Sequence, residues 1–156
     1  MTIRPIPSEL SERRLFDQLC IDEGVVREVY EDHLGYRTFG VGHLVLHTDP
    51  EYGQDVGTPV SDDRVWEAFQ HDLKTCIEEC ERLYLSDWNN FPAEVKEIVA
   101  NMMFNMGRPR LSQFRNMNKH LSAGDWKSAA IEGRDSRWYD QVTNRAERLM
   151  ERLEQV

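Results

Sequence analysis

The sequence predicts an α+β fold: a small antiparallel sheet lobe, a long linking helix and an all-helical lobe. Three observations point to it. Residues 25–46 are rich in Val, Tyr, Phe and Thr, alternate as strands do, and place a turn at His33-Leu34-Gly35. From Ser61 a run of about 20 residues carries apolar side chains at helical spacing. From Asn90 onward the pattern is helical throughout.

Taken in order, residues 8–23 read as a helix. Ser8 or Ser11 caps it, Leu15, Phe16, Leu19 and Cys20 form its apolar stripe, and Gly24 stops it. VREVY and YRTFGVGHLVL read as strands with Gly35 in the turn between them. On the second, Phe39, Val41 and His43 share one side and Tyr36 and Thr38 the other. Gly40-Val41-Gly42 lacks the third glycine and the following helix of a nucleotide-binding loop, so closely packed backbone explains it better. Residues 47–60 are turn-rich and polar, which predicts a surface loop.

Ser61 caps the long helix, with Asp62 and Asp63 in the first turn, where the helix dipole favours acids. Val65, Phe69, Leu73, Cys76 or Ile77, Cys80 and Leu83 follow. Pro92 suits the first turn of another helix. Ile98, Val99, Met102, Met103 and Met106 make that helix apolar nearly all round, up to Gly107, which places it at the centre of the helical lobe. Its methionines read as core filler rather than a cofactor site. Short helices broken near Pro109, Ala123-Gly124 and Gly133 follow, and the last, from about Thr143, carries Ala146, Leu149, Met150 and Leu153 on one side. The expected layout within a single domain is a sheet lobe over 15–60, a linking helix over 61–84 and a helical lobe over 85–156, on which the N-terminal helix has room to pack.

Composition narrows the function classes. The 156 residues are 40% hydrophobic and 30% charged, as in a globular domain with a real core. No apolar run approaches the roughly 20 residues of a membrane helix. The opening MTIRPIPSELSERR has no hydrophobic segment, so no secretory signal is expected. Cys20, Cys76 and Cys80 are odd in number and lack metal-type spacing, which predicts reduced thiols in a cytoplasmic product. A net charge of −9 argues against nucleic acid as a partner. Residues 1–100 carry 9 Lys and Arg against 21 Asp and Glu, while residues 101–156 carry 10 against 7. That asymmetry fits either ordinary solvated surface or a C-terminal part that faces an anionic polymer.

Glu23, Asp32 and Thr38 are the candidate chemistry. A pair of carboxyls is what glycoside hydrolysis requires, one to protonate the leaving oxygen and one to guide water or attack. Glu23 at a helix C-terminus suits the acid, with partial burial expected to help keep it protonated. Asp32 at a hairpin turn suits the ionised partner, and Thr38 can hold a water beside it. His43 and His47 on an extended segment do not converge, so no metal is expected, and no cofactor. Trp138 and Tyr139 read as core rather than sugar platforms.

The run Asp22-Glu23-Gly24, Tyr30, Asp32, Gly35-Tyr36, Thr38, Gly40 and Gly42-His43-Leu44 resembles the phage-type lysozymes, glycoside hydrolase family 24. A second stretch, Asn101-Met102, Phe104, Met106-Gly107, then Ser136-Arg137-Trp138-Tyr139, Gln141 and Asn144-Arg145-Ala146, carries the same resemblance. It implies a two-lobed lysozyme-like fold with a three-stranded sheet and a cleft between lobes. The implied activity is an inverting muramidase that cuts the β-1,4 bond between N-acetylmuramic acid and N-acetylglucosamine in bacterial peptidoglycan. Glu23 becomes the general acid, Asp32 the residue that activates water, and Thr38 completes the site. Leu44, Phe104 and Asn105 match saccharide-binding positions, the family often having glutamine where Asn105 stands. Arg145 matches an arginine that pairs with the acid, and His43 a histidine that pairs with an aspartate on the long helix, here Asp72.

The resemblance further implies a monomeric endolysin for host lysis, held in the host cytoplasm until a pore-forming holin lets it reach the wall. A lytic transglycosylase and a non-catalytic wall-binding phage module are the rival readings. This chain departs from the pattern in a longer N-terminus, a shorter segment between Leu44 and Ser61, and an acidic balance where familiar lysozymes are basic.

Overall fold

A computed structural model describes residues 10–156. Ser8, one of the two expected helix caps, lies outside the described residues. The chain divides into two compact units, one of residues Glu12–Thr75 and one holding Cys76–Val156.

The first unit opens with α1 (Glu12–Glu23). Leu15 and Leu19 are fully buried, and Phe16 sets its ring edge-on to Trp66 and Phe69 at centroid distances of 5.0 and 4.9 Å. The helix ends because Gly24 turns to φ +79° while its N–H still donates to the Cys20 carbonyl at 3.0 Å.

Three antiparallel strands follow in the order β1 (Val26–Glu31), β2 (Arg37–Gly40) and β3 (His43–Leu44). Tyr30 pairs with Thr38, Thr38 with Leu44, and Phe39 with His43. The long second strand expected from the sequence is thus two strands. Gly40 and Gly42 take φ of +66° and +65°, which reverses the chain between them. Phe39 and His43 share a face as expected, paired across the ladder with ring centroids 4.9 Å apart, while Thr38 is buried as well and Tyr36 lies before β2.

The segment after β3 is mostly exposed but not loose. It returns along β1, with Val29 N–H on Thr58 O at 2.9 Å, Gly57 N–H on Val29 O at 2.7 Å and Val60 N–H on Arg27 O at 3.0 Å. Ser61 Oγ then accepts from Arg64 N–H at 3.2 Å and opens α2 (Asp62–Tyr84), whose 23 residues begin in the first unit and finish in the second.

The second unit is helical. It holds α3 (Ser86–Asn90), α4 (Ala93–Leu111), α5 (Arg115–Ser122), α6 (Trp126–Arg134), α7 (Arg137–Gln141) and α8 (Thr143–Glu154). Pro92 sits at the N-cap of α4 rather than in its first turn. Val95, Ile98, Val99, Met102, Met103 and Met106 are buried along α4, which breaks at Gly107 (φ 79°, ψ 165°) and adds one more turn to Leu111. The break expected near Gly133 falls one residue on, where α6 ends at Arg134. Gly133 itself lies inside α6, where an added Cβ would sit 2.3 Å from Met150 Sδ on α8, so close helix packing explains the glycine. Ala146, Leu149, Met150 and Leu153 of α8 are all buried. Among the described residues no helix is long and apolar enough to cross a membrane.

Candidate active site

Local backbone chemistry fixes two carboxylates in the first unit. Glu23 is the last residue of α1, set by the turn at Gly24. Asp32 directly follows β1. Its N–H donates to Tyr36 O and its C=O accepts from Gly35 N–H, each at 2.9 Å, and Gly35 takes φ +85° to close the turn. Within that turn Asp32 Oδ1 accepts from the N–H groups of Leu34 and Tyr36, each at 2.9 Å. Both bonds use the same oxygen, which fixes the carboxyl's rotation and leaves Oδ2 outside them.

Thr38, 4% exposed on β2, donates its hydroxyl to Tyr36 O at 3.0 Å. Across the ladder from Thr38 stands Tyr30. Burial pushes the Tyr30 phenol above its ordinary pKa, and the charges of Asp32 and Glu23 push it further. Both carboxylates thus act on the phenol of the residue that pairs with Thr38. The expected partial burial of Glu23 is not found, for its side chain is exposed at the open end of the helix.

Beneath β3 lies an ionic assembly. His43, 3% exposed, meets Asp72 Oδ2 through Nδ1 at 2.7 Å and Asp49 Oδ2 through Nε2 at 2.8 Å. A carboxylate only accepts, so with both aspartates ionised the two contacts are satisfied together only by the imidazolium form of the ring. Burial lowers the His43 pKa, but the two aspartates outweigh it and the net shift is upward. Asp49 is held below its usual range: burial opposes this, while the Leu46 N–H, His43 and Arg64 prevail. Arg64 on α2 reaches Asp49 Oδ1 at 3.1 Å and grips Glu51 through Nε and Nη2 at 2.8–3.1 Å.

The remaining sequence-derived residues are placed as follows. Leu44 is 47% exposed. Phe104 and Asn105 are half-buried on α4 of the helical unit, and Asn105 Oδ1 accepts from Trp138 Nε1 at 2.8 Å. Trp138 itself is buried, and the Tyr139 hydroxyl donates to Glu147 at 2.9 Å. Arg145, buried on α8, donates through Nε to Asn101 Oδ1 at 2.9 Å.

Residues 21–155 match the family described as Phage lysozyme. The chain belongs to the phage lysozyme family. A small three-stranded sheet together with mostly helical elements is accordingly its lysozyme-like α+β fold. The chain is 29% identical over 154 residues to Probable T4-type lysozyme 2 of Dictyostelium discoideum, spanning 87% of this chain and 91% of that protein. It is 29% identical over 150 residues to the Pre-baseplate central spike protein Gp5 of Enterobacteria phage T4, covering 85% of this chain but only 26% of the spike protein. With Peptidoglycan hydrolase gp36 of Pseudomonas phage phiKMV it shares 30% identity over 128 residues, 81% of this chain and 13% of that protein. The lysozyme region is thus a small part of two of these relatives and nearly the whole of the third.

Asp49 and Arg64 escaped the sequence reading of this lysozyme chain. Asp49 stands in a turn before Pro50, where its Oδ2 accepts from Leu46 N–H at 2.8 Å, and that local turn chemistry was the one available signal.

Proposed function

We propose that the chain is a muramidase that hydrolyses the β-1,4 bond between N-acetylmuramic acid and N-acetylglucosamine in peptidoglycan, with inversion, as an endolysin in host lysis. The observation that supports this is that Glu23 and Asp32 both act on the phenol of Tyr30, the cross-strand partner of Thr38. Glu23 protonates the departing glycosidic oxygen. Asp32 takes a proton from the water that attacks the opposite face of the sugar.

Thr38 completes the geometry. Its proton is committed to Tyr36 O, so its oxygen offers only lone pairs to a neighbouring water. Water that donates one hydrogen to Thr38 and the other to Asp32 keeps its own lone pair for the anomeric carbon. An inverting route needs roughly 6.5–9.5 Å between the two carboxyls to admit that water. The proposal extends to Leu44, Phe104 and Asn105 as saccharide contacts. With the Asn105 oxygen engaged by Trp138, its amide N–H groups are the ones left for sugar. Arg145, His43 and Asp72 act as supports.

Digestion of purified peptidoglycan followed by mass spectrometry of the product ends tests the reaction. Reducing N-acetylmuramic acid ends, first formed as the α-anomer by NMR, are expected. Ends carrying 1,6-anhydro rings would replace hydrolysis by transglycosylation, and intact glycan would refute enzymatic activity.

A further inference from the structure

A groove of about 480 Å³ lies on the sheet-bearing unit, within the size range of about 300–1,000 Å³ usual for small-molecule sites. Tyr36, Arg37, Leu44, Val45, Tyr52 and Gln54 line it. Tyr36 and Tyr52 are 58% and 64% exposed, far more than buried packing would leave two aromatic rings.

The groove continues the candidate active site. Tyr36 donates its N–H to Asp32, and Leu44 is the cross-strand partner of Thr38. Its far wall is built at a cost. Arg64 binds Glu51, the residue before Tyr52, while Tyr52 N–H bonds Asp49 O at 3.1 Å and Gln54 N–H bonds Glu51 O at 3.0 Å. Asp49 is in turn fixed by His43 and Arg64. An assembly of five charged groups, with His43 and Glu51 buried, that holds a loop whose tip is exposed makes sense where the tip must be preorganised for a ligand.

We propose that this groove binds an uncharged N-acetylhexosamine unit of the glycan strand, lying beyond the sugars at the cleavage point. This rests on the muramidase reading and names a further subsite for it. The tyrosine rings offer apolar faces to the C–H face of a pyranose, with hydroxyls at their rims for its oxygens. Gln54 supplies an amide able both to donate and to accept. Charge selects sugar over stem peptide. The unit holds 6 Lys and Arg against 14 Asp and Glu, which repels peptide carboxylates, and the one cation in the groove, Arg37, is already paired with Glu31 at 3.0 Å.

The experiment compares wild type, Tyr52→Ala and Tyr52→Phe on peptide-free glycan strands, on stem-bearing peptidoglycan and on short oligosaccharides, with melting curves to confirm folding. Tyr52→Ala is expected to raise KM roughly tenfold on long peptide-free strands, as loss of one aromatic platform would, with kcat held and with little change on short substrates. Tyr52→Phe is expected to restore KM. An unchanged KM for Tyr52→Ala on long strands overturns the subsite, and so does a KM effect confined to stem-bearing wall, which would make the occupant peptide. Should wild type cleave no glycan, the muramidase reading fails separately. NMR titration of the Tyr36 and Tyr52 ring signals with a hexamer of N-acetylglucosamine then decides the groove alone, ring shifts supporting it and their absence refuting it.

Discussion

The two units solve the problem of a folded interior differently. Residues 12–75 carry 6 Lys and Arg against 14 Asp and Glu, and place His43, Arg64 and Glu51 in an ionic assembly that ties a loop to a strand and a helix. Residues 76–156 carry 12 against 13, and fill the space between α4, α6 and α8 with side chains such as Ile98, Met102, Met150 and Leu153. The helical unit buries charge as well, in Lys96, Glu97 and Arg145, the last donating to Asn101 through Nε and Nη2. Packing energy depends on volume and is indifferent to pH, while the ionic assembly depends on protonation. The unit that carries the proposed chemistry therefore holds its loop by groups whose protonation matters.

The comparison can be broken from either side, beginning with the strongest effect. Ile98→Ala removes a fully buried side chain and should cost about 2–5 kcal/mol in urea unfolding, by a similar amount at pH 5 and pH 8. A loss that varied strongly with pH would erase the distinction. Arg64→Met keeps the stem but leaves Glu51, 7% exposed, without its guanidinium, for about 1–3 kcal/mol. Amide exchange should quicken over residues 45–54, and uniform exchange across the chain would mean that the loop is held by something else.

The pH dependence has a definite sign. His43 is raised from 6.5, so its contribution is full below pH 6.5 and is lost as pH rises through the raised value. Asp49 is lowered from 3.8, so its contribution is present above pH 3.8 and is lost as pH falls through the lowered value. Stability from the pair is greatest between these limits. Asp72→Asn should lower the His43 pKa by NMR and flatten the upper limb of the melting curve against pH; an unmoved pKa would contradict the pairing. The smallest effect is on salt dependence. With a net charge of −9, the lytic rate should fall little from low to physiological ionic strength, and a steep fall would show capture by the positive side chains of residues 101–156.

What the sequence revealed was what is written locally. Gly24, Gly35 and Ser61 act on their nearest neighbours, and their turns and caps could be read from residue type. The apolar periodicity of α2, α4 and α8 was strong enough to find those helices. Legibility failed where distant backbone decides. The end of α6 near Gly133 was legible, but the packing reason for that glycine is Met150, 17 positions away on another helix. Gly40 and Gly42 split a strand that their β-rich neighbours made look continuous. At the site, the turn around Asp32 was legible, but the exposure of Glu23 and the commitment of the Thr38 hydroxyl were not. Asp49 and Arg64 meet across 15 positions of irregular chain, and no periodicity encodes that distance.

Glu23→Gln, assayed by turbidity clearing of cell walls alongside thermal unfolding, tests the account most directly. Exchange of the acid for an amide of the same shape removes the proton donor at an exposed position, so the melting temperature should hold while the rate falls by about 10²–10⁴-fold. A variant that still clears walls at the wild-type rate would contradict the assignment of Glu23 and, with it, the chemistry proposed for this unit.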